Sequence, residues 1–308
     1  MTNQEHRRST SAGEVRHEYA EVNGVRLHYA TAGNGELILF VHGFPEFWYA
    51  WKDQLAELGR DHRAVALDMR GYNLSSKPAS VEEYDRKHLV EDLRALAETL
   101  GYRKLTLVGH DWGGVIAWAF AIDHPELLEK LIIINAPHPA LFARELRDNP
   151  RQQKASRYML AFRGAGAEAA LSANHHAALV QAVMGEGLKT GVFDQRDKAA
   201  YIEAWSQPGA LTGALSYYRA ARVGPPPVEG DRSSGTFLGD TADFTVRVPT
   251  LVIWGERDSY LLSGNLDGLD ELVPDLTVER IPDATHWVVH EKPELVNALI
   301  RGFIEAKK

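Results

Sequence analysis

The chain of 308 residues contains no cysteine, which excludes a disulfide framework and any thiolate metal site. A reducing compartment is thereby permitted, and a cytoplasmic location is the expectation. Positive charge is also in short supply: 34 Lys and Arg stand against 42 Asp and Glu, a net charge of −8. Nucleic acid and anionic membranes both require a basic face, so neither is an expected partner. Long apolar runs are missing too, since the longest, Val115 to Ile122, is far short of the ~20 residues that cross a bilayer. Met1 to Gly13 lack the apolar centre and small-residue cleavage site of a secretion signal and read as a loose tail. No cofactor and no metal is expected.

A chain of this length suits one core domain with a large insertion. Alternation in His17 to Val22 and in Val25 to Ala30, joined by Asn23-Gly24, predicts an antiparallel hairpin with a tight turn. Short β-rich runs then follow at Leu37 to Val41, Ala64 to Leu67, Leu105 to Val108, Leu131 to Ile134, Leu251 to Trp254 and Leu276 to Ile281. Their connections are long enough for crossover helices, which predicts a mostly parallel sheet covered on both faces. Leu89, Leu93, Leu96 and Leu100 mark one such helix, with Gly101 at its C-terminal end. Between β-rich runs, residues 137–247 show helical patterns and a Gly- and Pro-rich trailing loop from Gly224 to Arg247. The expected organisation is therefore an α/β core in two parts, 14–136 and 248–308, with residues 137–247 as a helical cap.

The chemistry concentrates in Gly109-His110-Asp111-Trp112-Gly113, which follows a predicted strand and opens a predicted helix. That is the setting of a nucleophile elbow, with aspartate in place of the usual serine. A carboxylate is poorly matched to carbonyl attack, but it can displace a leaving group from saturated carbon and form an enzyme ester. Recovering the enzyme then needs a base, a carboxylate to orient that base, and donors for an oxyanion. His286 in the loop after the last strand, Asp258 after the preceding one, and the backbone amides of Phe44 and Trp112 are the candidates. The chain order of nucleophile, acid and histidine is that of the α/β-hydrolase fold. His42, Pro45, Trp112 and Trp287 are expected around the substrate. Of the 13 histidines, His175, His176 and His290 read as solvated or structural, and Trp48, Trp51 and Trp118 as core or pocket wall.

Taken together, His42-Gly43-Phe44-Pro45-Glu46, Asp68-Met69-Arg70-Gly71-Tyr72, Gly109 to Gly114, Asn135-Ala136-Pro137-His138-Pro139 and His286-Trp287 resemble the epoxide hydrolases of the α/β-hydrolase superfamily, from about Tyr19 to Phe303. The resemblance implies a small-molecule epoxide and water as reactants, and two cap tyrosines that hydrogen-bond and protonate the epoxide oxygen. The matching positions are Tyr158 and Tyr218. A phenol in an apolar pocket can supply both the bond and the proton, whereas Tyr217 points about 100° away from Tyr218 on a helix. Ala161 and Arg163 depart from the family's usual aromatic residue and glutamine, and Asn73 from a common glycine. Alternatives are a haloalkane or haloacid dehalogenase using the same aspartate, and a ligand-binding hydrolase-fold protein without turnover. A homodimer is compatible with the sequence, which does not fix the oligomeric state.

Overall fold

The computed structural model describes residues 14–226 and 243–306. The expected tail, Met1 to Gly13, lies outside the described residues, as does the 227–242 part of the expected loop. Eight strands run in chain order: β1 (Arg16–Val22), β2 (Val25–Ala32), β3 (Leu37–Val41), β4 (Arg63–Leu67), β5 (Leu105–His110), β6 (Leu128–Ile134), β7 (Thr250–Gly255) and β8 (Leu276–Ile281). They form one sheet in the order β1-β2-β4-β3-β5-β6-β7-β8, antiparallel from β1 to β4 and parallel from β4 to β8.

The β1–β2 hairpin closes at the Val22–Val25 pair. Asn23 and Gly24 supply the two positive φ angles, 47° and 77°, that a two-residue turn requires. β2 runs two residues beyond the expected Ala30, because Thr31 and Ala32 still pair with Val65 and Ala64 of β4. In the parallel strands both faces are buried, and successive residues serve opposite cores. Leu37, Leu39 and Val41 pack with Leu89, Leu93 and Leu96 of the helix Arg86–Thr99, while Ile38 and Phe40 pack on the other face with Leu55 and Val296. That helix starts at Asp85, whose carboxylate accepts the His88 amide at 3.0 Å, and Gly101 follows its end at φ 86°.

Between β6 and β7 the chain leaves the sheet for a series of helices from Pro139 to Ala221, with no strand among the described residues. The helical stretch Ala167–Met184 is interrupted where Asn174, His175 and His176 take φ of 51°, 54° and 61°. His175 is exposed, whereas His176 is buried with its Nε2 3.1 Å from the Ser206 hydroxyl. Trp51 and Trp118 lie in the core and Trp48 packs half-buried against it. Among the described residues, no helix is long and apolar enough to cross a membrane.

Candidate active site

Asp111 stands at the C-terminal end of β5, where the strand turns directly into the helix Trp112–Asp123. Its backbone takes φ 49° and ψ −121°, a region that side-chain-bearing residues rarely adopt. This conformation lifts the carboxylate clear of the sheet edge. Such a turn leaves no room at its base: a Cβ on Gly113 would collide with the carbonyl oxygens of Val41 and His42, and one on Gly43 with the Asp111 side chain. Both glycines are therefore dictated by close approach.

The Phe44 amide donates to Asp111 Oδ1 at 2.7 Å. Trp112, the first residue of the helix, carries one of the amides that a helix start leaves without an intrahelical acceptor. The other carboxylate oxygen, Oδ2, faces His286 Nε2 at 3.7 Å. That gap is too long for a hydrogen bond and suits a bridging water. On the far side of the ring, His286 Nδ1 donates to Asp258 Oδ2 at 2.7 Å.

Asp258 is held on all sides. Its Oδ1 accepts the Tyr260 and Leu261 amides at 2.8 and 2.9 Å, and Oδ2 accepts from Asn135 Nδ2 at 2.8 Å. Burial alone would push this carboxyl up, but the facing His286 charge and these donors bring it below its ordinary value. His286 answers in the opposite sense. Burial disfavours its charge, yet Asp258 first, then Asp111 and Glu46, outweigh that and push the imidazole from 6.5 up to about 9.

Tyr158, at the start of the helix Tyr158–Arg163, and Tyr218, in the helix Ala210–Ala221, face Asp111 from the inserted segment. Their rings meet edge to face at 6.2 Å. The Trp112 ring meets the Tyr218 ring edge to face at 5.1 Å. Burial, reinforced by nearby acidic groups, raises both phenols well above their usual value, so they are held protonated. The neighbouring Tyr217 hydroxyl donates elsewhere, to the Arg70 carbonyl at 2.8 Å.

Two hollows meet at Asp111 and Tyr158. The larger, about 290 Å³, is walled by Phe44, Pro45, Phe162, Leu179, Tyr218 and Trp287 among others. The smaller, about 40 Å³, lies against Trp112, Val115, Pro137, Phe142 and Leu261. Of the four residues expected around the substrate, Pro45, Trp112 and Trp287 line one hollow or the other, and His42 lines neither. The expectation for His42 is corrected for a definite reason. The ring is fully buried; its Nδ1 donates to the Gly43 carbonyl at 2.8 Å and its Nε2 accepts the Met69 amide at 3.1 Å. His42 therefore braces the turn that presents Phe44. Burial lowers its basicity and keeps it neutral.

Several residues around the site carry no role in the sequence reading. Asn135, at φ 39° after β6, donates to Asp258 and also receives the Gly255 amide at 2.8 Å. Behind His286, His110 Nε2 donates to the His286 carbonyl at 2.9 Å, and its Nδ1 lies 3.1 Å from Glu46. Glu46 also receives His290 at 2.6 Å and the Tyr201 hydroxyl at 2.8 Å. Burial would raise this carboxyl, but His290 and His110 hold it well below the ordinary range. His290 is thus a buried partner of Glu46. The only local signal for this cluster was that Glu46 and His110 sit inside the two motifs flanking the site. Asn73 takes φ 37°, which asparagine adopts more readily than most side-chain-bearing residues, and donates to the buried Asp68 at 2.8 Å. Among the described residues no group of three or more His, Asp or Glu is arranged to hold a metal ion.

The family model of the alpha/beta hydrolase fold matches residues 36–293. A Bacillus subtilis AB hydrolase superfamily protein, YfhM, is 37% identical, with 94% of this chain and 98% of that protein covered. Epoxide hydrolase 2 of Caenorhabditis elegans is 32% identical over 94% of this chain and 79% of its own length. Among solved structures, an epoxide hydrolase from Bacillus megaterium in complex with an inhibitor superposes with a TM-score of 0.88 at 42% identity, covering 94% of this chain and all of that one. With an aspartate at the elbow, two phenols facing it and this degree of likeness along nearly the whole chain, the protein belongs to the epoxide hydrolases of the α/β-hydrolase superfamily.

Proposed function

We infer that this protein opens an epoxide to a vicinal diol through a covalent ester on Asp111. The observation that carries the reading is the convergence of a carboxylate nucleophile and two protonated phenols on one apolar hollow. With Oδ1 engaged by Phe44, Oδ2 is the free oxygen, and it attacks an epoxide carbon as the carbon–oxygen bond breaks. Tyr158 and Tyr218 hydrogen-bond the departing oxygen and return a proton to it, since a bare alkoxide is a poor leaving group. His286, oriented by Asp258, then takes a proton from water, and the resulting hydroxide adds to the ester carbonyl. The amides of Phe44 and Trp112 receive the negative oxygen of the tetrahedral intermediate. Collapse breaks the bond from the ester carbonyl carbon to the alkyl oxygen, His286 returns its proton to that oxygen and the diol leaves; the acid proton left on Asp111 restores the phenol that was spent, and the carboxylate is regenerated with one oxygen from water.

In this reading residues 137–247 act as a cap that brings the two tyrosines over the core formed by 14–136 and 248–308. The apolar walls of the larger hollow favour an epoxide with an apolar substituent. The acidic balance fits a cytoplasmic enzyme. Dehalogenation is disfavoured because a halide needs a second side-chain N–H donor beside the Trp112 indole, and Phe44 supplies none. The test is His286→Gln with styrene oxide. The peptide bearing Asp111 gains the mass of the substrate, and Asp111→Ala gives neither adduct nor diol. An unmodified peptide in folded His286→Gln enzyme under turnover conditions refutes covalent catalysis.

A further inference from the structure

The two half-reactions make different demands on the larger hollow. Alkylation needs it filled by the substrate, whereas hydrolysis needs one water beside His286 while the alkyl group of the ester still occupies that space. Water held in a hollow requires two to four polar partners, and walls such as Phe44, Phe162, Leu171 and Leu179 offer none. A filled apolar hollow is therefore a poor route for the second reactant.

A third hollow of about 240 Å³ lies against the same histidine. It shares Ala182, Tyr260, His286 and Trp287 with the substrate hollow, but beside the apolar Val183, Val192 and Phe193 its remaining wall carries polar side chains that the substrate hollow lacks: Gln181, Glu186, Arg257, Ser259, Thr285 and Glu291. Gln181, Glu186, Arg257 and Ser259 are exposed, so it opens to solvent. Among the side chains that line both, Trp287 donates its indole N–H to the Ala182 carbonyl at 3.1 Å and ties the His286 loop to the helical stretch Ala167–Met184.

We propose that this solvent-open hollow is a water port that supplies the attacking water to His286 from beyond Trp287, so that hydrolysis proceeds while the apolar hollow is full. The 3.7 Å between His286 Nε2 and Asp111 Oδ2 is the place where that water is used. The proposal rests on the ester mechanism inferred above.

Two variants narrow the port from different elements: Gln181→Trp from the inserted helix, and Ser259→Phe from the loop after β7. Rapid-quench single turnovers with styrene oxide separate formation of the Asp111 ester from its hydrolysis. Each folded variant is expected to form the ester within about twofold of the wild-type rate, to hydrolyse it about tenfold more slowly, and to accumulate it at steady state. Leu171→Trp, on the apolar side, shows the reverse pattern. Wild-type hydrolysis rates in the two port variants, or equal slowing of both half-reactions, overturn the port. Absence of any ester, in these proteins and in His286→Gln alike, overturns instead the covalent mechanism on which the port rests.

Discussion

The imidazole of His286 offers a thermodynamic handle on the site that needs no substrate. In the folded protein it titrates at about 9 rather than 6.5, because Asp258 at 2.7 Å, Asp111 at 3.7 Å and Glu46 outweigh its burial. A folded value above the unfolded one means that protonation stabilises the fold. That contribution is complete below pH 6.5 and is lost as pH rises through about 9. At about 1.36 kcal/mol per pH unit, the difference is worth roughly 3 kcal/mol. The perturbation is His286→Gln, which keeps an amide beside Asp258 but does not titrate. Urea unfolding of both proteins, repeated from pH 6 to about 10, cancels the other ionisations. The wild-type advantage over the variant should shrink by roughly 3 kcal/mol across that range. Parallel stability curves, or a wild-type imidazole resonance titrating near 6.5, would refute the electrostatic account of the site. The same reasoning gives a kinetic corollary: the ester neutralises Asp111, one of the groups that raise His286, so the base is released more readily after alkylation than before it.

Tyr158→Phe and Tyr218→Phe should each slow ester formation by about 10- to 100-fold, and together by about 10³ or more, while ester hydrolysis is little changed. Tyr217→Phe removes only the bond to the Arg70 carbonyl; it should cost about 1 kcal/mol in thermal or urea unfolding and leave ester formation within about twofold. Equal effects of Tyr217→Phe and Tyr218→Phe on single-turnover alkylation would contradict the assignment. Gly113→Ala pushes a methyl into the Val41 and His42 carbonyls, and a loss of about 3 kcal/mol or outright failure to fold is expected; unaltered urea unfolding would show that the turn yields more easily than its geometry implies.

What could be read along the chain was whatever is written locally. The strands β3, β5 and β7 appear as short apolar runs because both their faces are buried. The elbow was legible because strand, sharp turn and helix are consecutive, and the hairpin because Asn23-Gly24 names its own turn. The boundaries that shifted did so through pairing: β6 begins at Leu128, three residues before the expected Leu131, because Leu128 pairs with Leu105 across a register shift. His42 lies only two residues from Phe44, but that proximity says nothing of which way the ring turns, and two backbone partners turn it into the core. The Glu46 cluster joins residues separated by 64, 155 and 244 positions. No local pattern encodes such a meeting; it exists only once β3, β5, the inserted helices and the last loop are assembled.

The hydrogen bond from Phe44 to one oxygen of Asp111 makes the two halves of a symmetric carboxylate unequal before any reactant arrives. Only the unbound oxygen leaves with the diol, and solvent replaces only that one. A carboxylate that never turns over in its cradle would therefore exchange a single atom however many cycles it completes. In ¹⁸O-water the appearance of doubly labelled Asp111 counts rotations of that side chain, so the enzyme carries an internal record of how firmly its own nucleophile is gripped.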